Sequence, residues 1–292
     1  MAAVWADDPA GDAFDQVGSA FDGDLRTLAD DADACAASTA LAQPAIMAAS
    51  LAAFDALAAA DVHPDVVAGH SLGEVTAATA AGVLDRASGA RLVTERGRAM
   101  GEACAASPGT MAAVLRLDVD VVAELVDRVP DAAVANNNAP GQVVVAGPPP
   151  AVQQVVELAE EAGGRVRMLD VEGAFHSAAM APAVAPVRDV LEAADLHDPG
   201  PTFLSGLDGG ERSRGRDVAD SLVEGILAPV RWVDVQHALV AHDVDLLVEC
   251  GPGGILAGCA KRTIRDVTCL GVASPADVTA VVEHLAHEHS PA

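Results

Sequence analysis

The sequence contains the stretch Val66-Val67-Ala68-Gly69-His70-Ser71-Leu72-Gly73-Glu74-Val75, in which a short β-branched run leads into Gly-x-Ser-x-Gly and then into alanine-rich sequence. A strand, a tight turn with small residues and a helix in this order are typical of a nucleophile elbow, which presents the serine Oγ outside the backbone. The backbone N–H of Leu72, at the start of the helix, is then free to stabilise an oxyanion. The alternative is an ordinary helix start with a serine cap and two incidental glycines.

The segment from Gly69 to Glu74 resembles the active-site signature of malonyl-CoA:acyl-carrier-protein transacylases and of the acyltransferase domains of polyketide synthases. The same family resemblance extends over nearly the whole chain, because further stretches match in order. These stretches are Ala42-Gln43-Pro44-Ala45, Glu95-Arg96-Gly97, Asn136-Asn137-Asn138-Ala139-Pro140-Gly141-Gln142-Val143, Gly173-Ala174-Phe175-His176-Ser177 and Val248-Glu249-Cys250-Gly251-Pro252-Gly253.

The resemblance implies that Ser71 is the nucleophile and His176 its general base. A serine needs such a base to react near neutral pH. In the family this imidazole is oriented by a backbone carbonyl, which would lie near Gly225. The resemblance also implies that Arg96 binds the malonyl carboxylate, which suits a guanidinium that donates two parallel hydrogen bonds. The alternative for Arg96 is a solvated helix face shared with Arg91 and Arg98.

Three further residues are predicted to bind substrate. The resemblance places Gln43 near the active site, although it is equally a polar residue at the solvated start of a helix that opens at Gln43-Pro44. Asn138 is expected to line a cleft between domains, or else to be a turn residue that tolerates left-handed backbone angles. Phe175 in Ala-Phe-His is more similar to the malonyl-selecting version of the motif than to the methylmalonyl one.

The implied reaction is a ping-pong transfer through a malonyl ester of Ser71. Its partners are malonyl-CoA and acyl carrier protein, whose phosphopantetheine thiol receives the acyl group, in fatty acid or polyketide synthesis. No cofactor of the chain itself and no metal site are expected. The histidines near the C-terminus, His284, His287 and His289, are interpreted as solvated residues.

One departure from the family leaves two other functions open. Family members usually begin with a strand and a Gly-Gln-Gly-Ser-Gln loop that borders the acyl site, and no such loop occurs in the sequence. The chain could therefore be an inactive, N-terminally truncated relative that acts as a binding partner. The alternative enzyme is a serine thioesterase or esterase on the same scaffold, in which Arg96 would have no role.

Composition excludes several classes of protein. The formal net charge of −26 argues against binding to nucleic acid. Because like charges destabilise a compact chain unless salt screens them, we interpret the charge as adaptation to a salt-rich cytoplasm, with an acidic protein from a GC-rich mesophile as the alternative. The five scattered cysteines and the lack of a basic, apolar leader or a transmembrane run predict a cytoplasmic protein, expected to be a monomer.

The order of predicted elements indicates an α/β fold. We expect a hydrolase-like parallel sheet wrapped by helices, formed by residues 1–108 and 172–292. Between them, residues 109–171 follow the order βαββαβ, which is typical of a ferredoxin-like unit. This inserted small domain would be entered and left from the main sheet.

Overall fold

The computed structural model describes residues 1–288 and has the predicted mixed α/β fold. Its α-helices are α1 (Asp12–Gly18), α2 (Leu25–Leu28), α3 (Ala32–Ala37), α4 (Thr39–Ala59), α5 (Leu72–Ala80), α6 (Arg86–Ala106), α7 (Val119–Val126), α8 (Pro149–Glu161), α9 (Val184–Glu192), α10 (Gly215–Glu224), α11 (Trp232–Ala241), α12 (Ile255–Thr263) and α13 (Pro275–Glu288). Its strands are β1 (Val66–Ala68), β2 (Thr110–Leu115), β3 (Ala133–Ala139), β4 (Gln142–Gly147), β5 (Arg165–Met168), β6 (Thr202–Leu204), β7 (Leu246–Cys250) and β8 (Thr268–Val272). Three-residue 3₁₀ helices occur at Ala3–Trp5 and Pro9–Gly11, and a longer one at Ala178–Ala183.

The strand that carries the elbow belongs to a layer of parallel strands. β1 pairs with β6, and β7 pairs with β8, both in parallel. Val67 of β1 and Leu246 of β7 pack against one hydrophobic core, whereas Val66 and Leu247 pack against another. This alternation follows from the two-residue period of a strand and places both pairs between the same two layers of helices. Instead of the single parallel sheet that was expected, the hydrogen bonds among the described strands form two separate pairs.

Residues between Thr110 and Met168 form a second, antiparallel sheet in the order β3-β4-β2-β5. Helices α7 and α8 share a hydrophobic cluster with one face of this sheet, built largely from valine. All four strands lie between residues 109 and 171, with α7 following β2 and α8 following β4 along the chain. This part of the chain therefore has a core of its own beside the main one.

Helix α4 is the central helix of the main core. It packs along α6, and the backbones approach so closely that a Cβ on Gly97 would lie 3.1 Å from the Cα of Ala40. The helix is long and apolar enough to cross a membrane, and 72% of its 18-residue apolar window is buried inside the structure. Burial of this kind is what the core helix of a soluble protein also shows.

The predicted start of this helix is wrong by four residues. Helix α4 begins at Thr39 and carries Pro44 in its interior, because the extended backbone of Ser38 separates it from α3. Gln43 therefore lies within the second turn of the helix and is buried. The proline at position 44 correctly indicated a helix in this part of the chain, but the preference of proline for a first turn predicted the wrong starting residue.

Candidate active site

Ser71 lies in a strained turn between β1 and α5. Its backbone has φ 54° and ψ −112°, a region that non-glycine residues rarely adopt. The turn is possible because Gly69 has no side chain: a Cβ there would lie 2.0 Å from the carbonyl carbon of Gly73. Leu72 is the first residue of α5, where a backbone N–H has no partner within the helix. The local geometry is thus that of a nucleophile elbow.

His176 approaches Ser71 from the segment that follows the antiparallel sheet. Its Nδ1 lies 2.8 Å from the carbonyl oxygen of Gly225 and 3.1 Å from that of Ala228. Because a carbonyl only accepts hydrogen bonds, Nδ1 carries the proton, and Nε2 is left to accept from the Ser71 hydroxyl at 2.8 Å. Burial lowers the pKa of His176 to about 3, with smaller contributions from Arg96 and His70. The imidazole is therefore neutral at physiological pH.

Arg96 brings a buried cation to the same hydroxyl. Its Nη2 donates to Ser71 Oγ at 3.2 Å, and its Nη1 donates to the Gln43 side-chain oxygen at 2.5 Å. The Gln43 amide is held in turn, since its Nε2 donates to Thr39 Oγ1 at 2.9 Å and to Met100 Sδ at 3.5 Å. Burial lowers the pKa of Arg96 to about 10, partly opposed by Glu74. Arg96 remains charged at neutral pH and lies within hydrogen-bond distance of the Ser71 hydroxyl.

Glu74 is a buried carboxylate that the sequence reasoning did not assign. It lies in the first turn of α5 and accepts from Ser205 Oγ at 2.9 Å and from the N–H of Gly206 at 3.0 Å. Burial raises its pKa, whereas these hydrogen bonds and the nearby Arg96 oppose the rise. A glutamate in an otherwise small and apolar helix was the available signal, because such a residue needs a partner when buried.

Two cavities meet at Ser71 and Arg96. The larger, of about 360 Å³, is also lined by Gln43, Leu72 and Phe175. The other, of about 300 Å³, extends past His176 and Glu74 towards Gly225. Of the residues predicted to contact substrate, Gln43, Arg96 and Phe175 thus share one cavity with Ser71 and with Leu72 at the start of α5.

Asn138 does not line either cavity. It lies within β3 and not in the turn that follows, and its Oδ1 is 2.8 Å from His70 Nε2. The prediction that Asn138 binds substrate therefore finds no support in its position. The asparagine-rich segment suggested a turn, but pairing with β4, with shifts in register, extends β3 as far as Ala139.

No group of three or more potential ligand side chains suited to a metal ion occurs within the described residues. His287 is exposed, His284 is half-buried, and His289 lies outside the described residues. The five cysteines are unpaired thiols.

The model of the family described as acyl transferase domain matches residues 15–291. The chain is 34% identical over 253 residues to the malonyl CoA-acyl carrier protein transacylase of Bacillus subtilis strain 168, which covers 85% of this chain and 80% of that protein.

Two solved structures are similar to this chain over almost its whole length. The acyl-carrier-protein S-malonyltransferase of Burkholderia pseudomallei 1710b has a TM-score of 0.90 and 33% identity, covering 97% of this chain and 94% of its own. A complex of a type II polyketide synthase acyl-carrier protein with its malonyl-transacylase, PlMCAT:AntF, has a TM-score of 0.89 and 30% identity, covering 94% of this chain and 91% of its own.

Proposed function

The chain belongs to the acyl transferase domain family, and from that premise we propose that it transfers a malonyl group from CoA to the phosphopantetheine thiol of acyl carrier protein. The observation that carries this proposal is the meeting of Ser71 Oγ with His176 Nε2 at 2.8 Å and with a buried Arg96 at 3.2 Å. An esterase needs the first contact but has no use for a buried cation beside it.

In the first half-reaction His176 Nε2 takes the hydroxyl proton while Ser71 Oγ bonds to the thioester carbonyl carbon. The N–H of Leu72 donates to the oxyanion as it forms. The carbon–sulfur bond then breaks, and CoA leaves as a thiol with the proton from the imidazolium. In the second half-reaction the carrier thiol gives its proton to His176, attacks the ester, and Ser71 recovers a proton as its bond to the acyl carbon breaks.

Arg96 holds the free carboxylate of the malonyl group in the larger cavity, with Gln43 fixing the plane of the guanidinium and Phe175 closing one wall. Pairing with the carboxylate also neutralises a cation that lowers the pKa of His176. Substrate binding therefore strengthens the base at the moment it is needed. The reaction requires no cofactor beyond the two substrates.

The finer features of the fold are proposed on the same basis. We interpret residues 109–171 as a ferredoxin-like small domain, because the order β3-β4-β2-β5 with two helices on one face suits that unit. Residues 1–108 and 172–292 then form the hydrolase-like acyltransferase domain. Unpaired thiols support a location in the cytoplasm, and the complete site within one chain supports a monomer.

Single-turnover labelling with malonyl-CoA tests the proposed function. Stable malonylation of Ser71, discharged by added acyl carrier protein, is expected. Release of free malonate would indicate a thioesterase, and a chain that takes no label would be an inactive relative. Ser71→Ala should abolish labelling in a protein that still folds, whereas His176→Ala should slow acylation by about 10²–10⁴-fold.

A further inference from the structure

The side chain of His70, next to the nucleophile, is held by a contact that no step of the proposed reaction uses. Its Nε2 lies 2.8 Å from Asn138 Oδ1 on β3. Its ring packs against that of Trp232 in an edge-to-face arrangement, with the ring centroids 5.5 Å apart and the planes at 65°. Since the amide oxygen only accepts, Nε2–H donates to it.

Asn138 is itself fixed on its other side. Gln236, which is fully buried, donates its Nε2 to the backbone oxygens of Asn138 and Trp232, at 3.0 Å in both cases. The neighbouring N–H of Asn137 donates to Val230 O at 2.8 Å. Strand β3 is thereby tied to the segment that leads from Gly225 to Trp232.

That same segment orients the base, because Gly225 and Ala228 accept from His176 Nδ1. A route of hydrogen bonds and covalent chain therefore runs from Ser71 and His70 through Asn138 and its neighbour Asn137 to Val230, and along the chain to Ala228, which accepts from His176. The nucleophile is joined to its base through this route as well as through their direct hydrogen bond.

We propose that His70 is a positioning residue which, held by Asn138, fixes the Ser71 turn relative to His176. A residue in a sparsely populated backbone region keeps that conformation only where its surroundings enforce it. The contact between His70 and Asn138 enforces it from the antiparallel sheet. This inference rests on the serine–histidine pair of the proposed function and gives Asn138 a role other than contact with substrate.

The test measures the reactivity of Ser71 towards a small uncharged fluorophosphonate, which needs neither Arg96 nor malonyl-CoA. His70→Phe retains the edge contact with Trp232 but removes the hydrogen bond, and Asn138→Ala removes the acceptor. Each should slow phosphonylation about tenfold, the loss expected for one buried hydrogen bond, and the double variant should be no slower than either single variant. Asn137→Ala is the matched control, and Asn138→Asp, which keeps an acceptor, should restore the rate.

For malonyl transfer the same variants should lower kcat and leave the KM for malonyl-CoA unchanged. The proposal is overturned if Asn138→Ala raises that KM at an unchanged rate of phosphonylation, or if the two losses multiply in the double variant. Should His70→Phe fail to fold, His70→Leu, which likewise cannot donate to Asn138, replaces it in the cycle. If the wild-type protein transfers no malonyl group but the variants still slow phosphonylation as described, the proposed function is refuted and the role of His70 is not.

Discussion

At the scale of single residues, Arg96 is the most unusual, because its side chain is a cation that is only 4% exposed and burying an unpaired charge costs free energy. It contacts Ser71 and Gln43 through hydrogen bonds and has Glu74 as a nearby opposite charge. None of the hydrogen-bond partners is an anion, so the guanidinium retains the capacity to pair with a carboxylate. The proposed function supplies that carboxylate from the substrate.

The first prediction uses the difference between a malonyl group, which has a free carboxylate, and an acetyl group, which has none. Arg96→Ala should lower kcat/KM for malonyl transfer at least about tenfold, since a hydrogen bond to a charged group contributes about 1.5–3 kcal/mol. Acetyl transfer should fall less or improve. The measurement is the ratio of the two rates in wild type and variant, and an equal loss for both would make Arg96 structural.

The second prediction concerns the pH dependence of Ser71. A cation close to an imidazole disfavours the imidazolium and lowers the pKa of His176, so removing the charge must raise that pKa. In Arg96→Gln the acid limb of the phosphonylation rate should therefore move to higher pH. The measurement is the pH dependence of the phosphonylation rate, which reports the pKa of His176 in the free enzyme. Arg91→Ala, an exposed position on the same helix, is the control, and an unmoved limb in Arg96→Gln would show that Arg96 does not act on the base.

At the scale of the element, the two glycines of the strand–turn–helix unit differ in the space around them. A Cβ on Gly69 would lie 2.0 Å from the backbone of Gly73, whereas a Cβ on Gly73 would have no atom within 4 Å. The backbone of Gly73 cannot move aside without displacing α5. The two glycines of the motif are therefore unequal, although the pattern Gly-x-Ser-x-Gly presents them alike.

The third prediction follows from that asymmetry. Gly69→Ala should prevent the turn from forming and should either abolish soluble folded protein or lower the melting temperature strongly. Gly73→Ala should fold with nearly the wild-type melting temperature, because the added methyl group meets open space and alanine favours a helix. Comparing the two melting temperatures is the test, and equal sensitivity at both positions would contradict the close approach described for Gly69.

At the scale of the whole molecule, the most prominent property is the excess of negative charge. Against 43 acidic residues stand 17 lysines and arginines, so carboxylates outnumber these cations by 26. Many of the ion pairs that do form are exposed and join side chains three or four residues apart, such as Arg98 with Glu95. Pairs of this kind contribute little to stability. Repulsion among the remaining carboxylates is therefore a substantial cost of folding in dilute buffer.

The fourth prediction is that salt relieves this repulsion. The melting temperature should rise steadily from dilute buffer to molar KCl, because the Debye length falls from about 10 Å at 0.1 M to about 3 Å at 1 M. The Gly73→Ala variant should follow the same slope, since it does not change the charge. A melting temperature that stays flat or falls across this range would refute the interpretation that the acidity is an adaptation to salt.

The amino-acid sequence by itself determined the features that depend on neighbours along the chain. The β-branched run, the glycines around Ser71 and the alanine-rich segment after it predicted the elbow, because a strand, a turn and a helix each have a local signature. The order of elements predicted the α/β class for the same reason. Family resemblance, and not spacing, pointed to His176 and Arg96.

Only the tertiary structure decided which side chains meet, because that depends on the packing of helices and strands distant in sequence. Ser71 and His176 are 105 positions apart, and Glu74 finds Ser205 across 131. Asn138 contacts His70 and lines neither cavity, because strand pairing extends β3 through the residues where a turn was expected. Gln43 is buried because α4 begins at Thr39, four residues earlier than predicted. Periodicity predicts which face of an element is apolar, but the distances between elements are set by the volumes of the side chains packed between them.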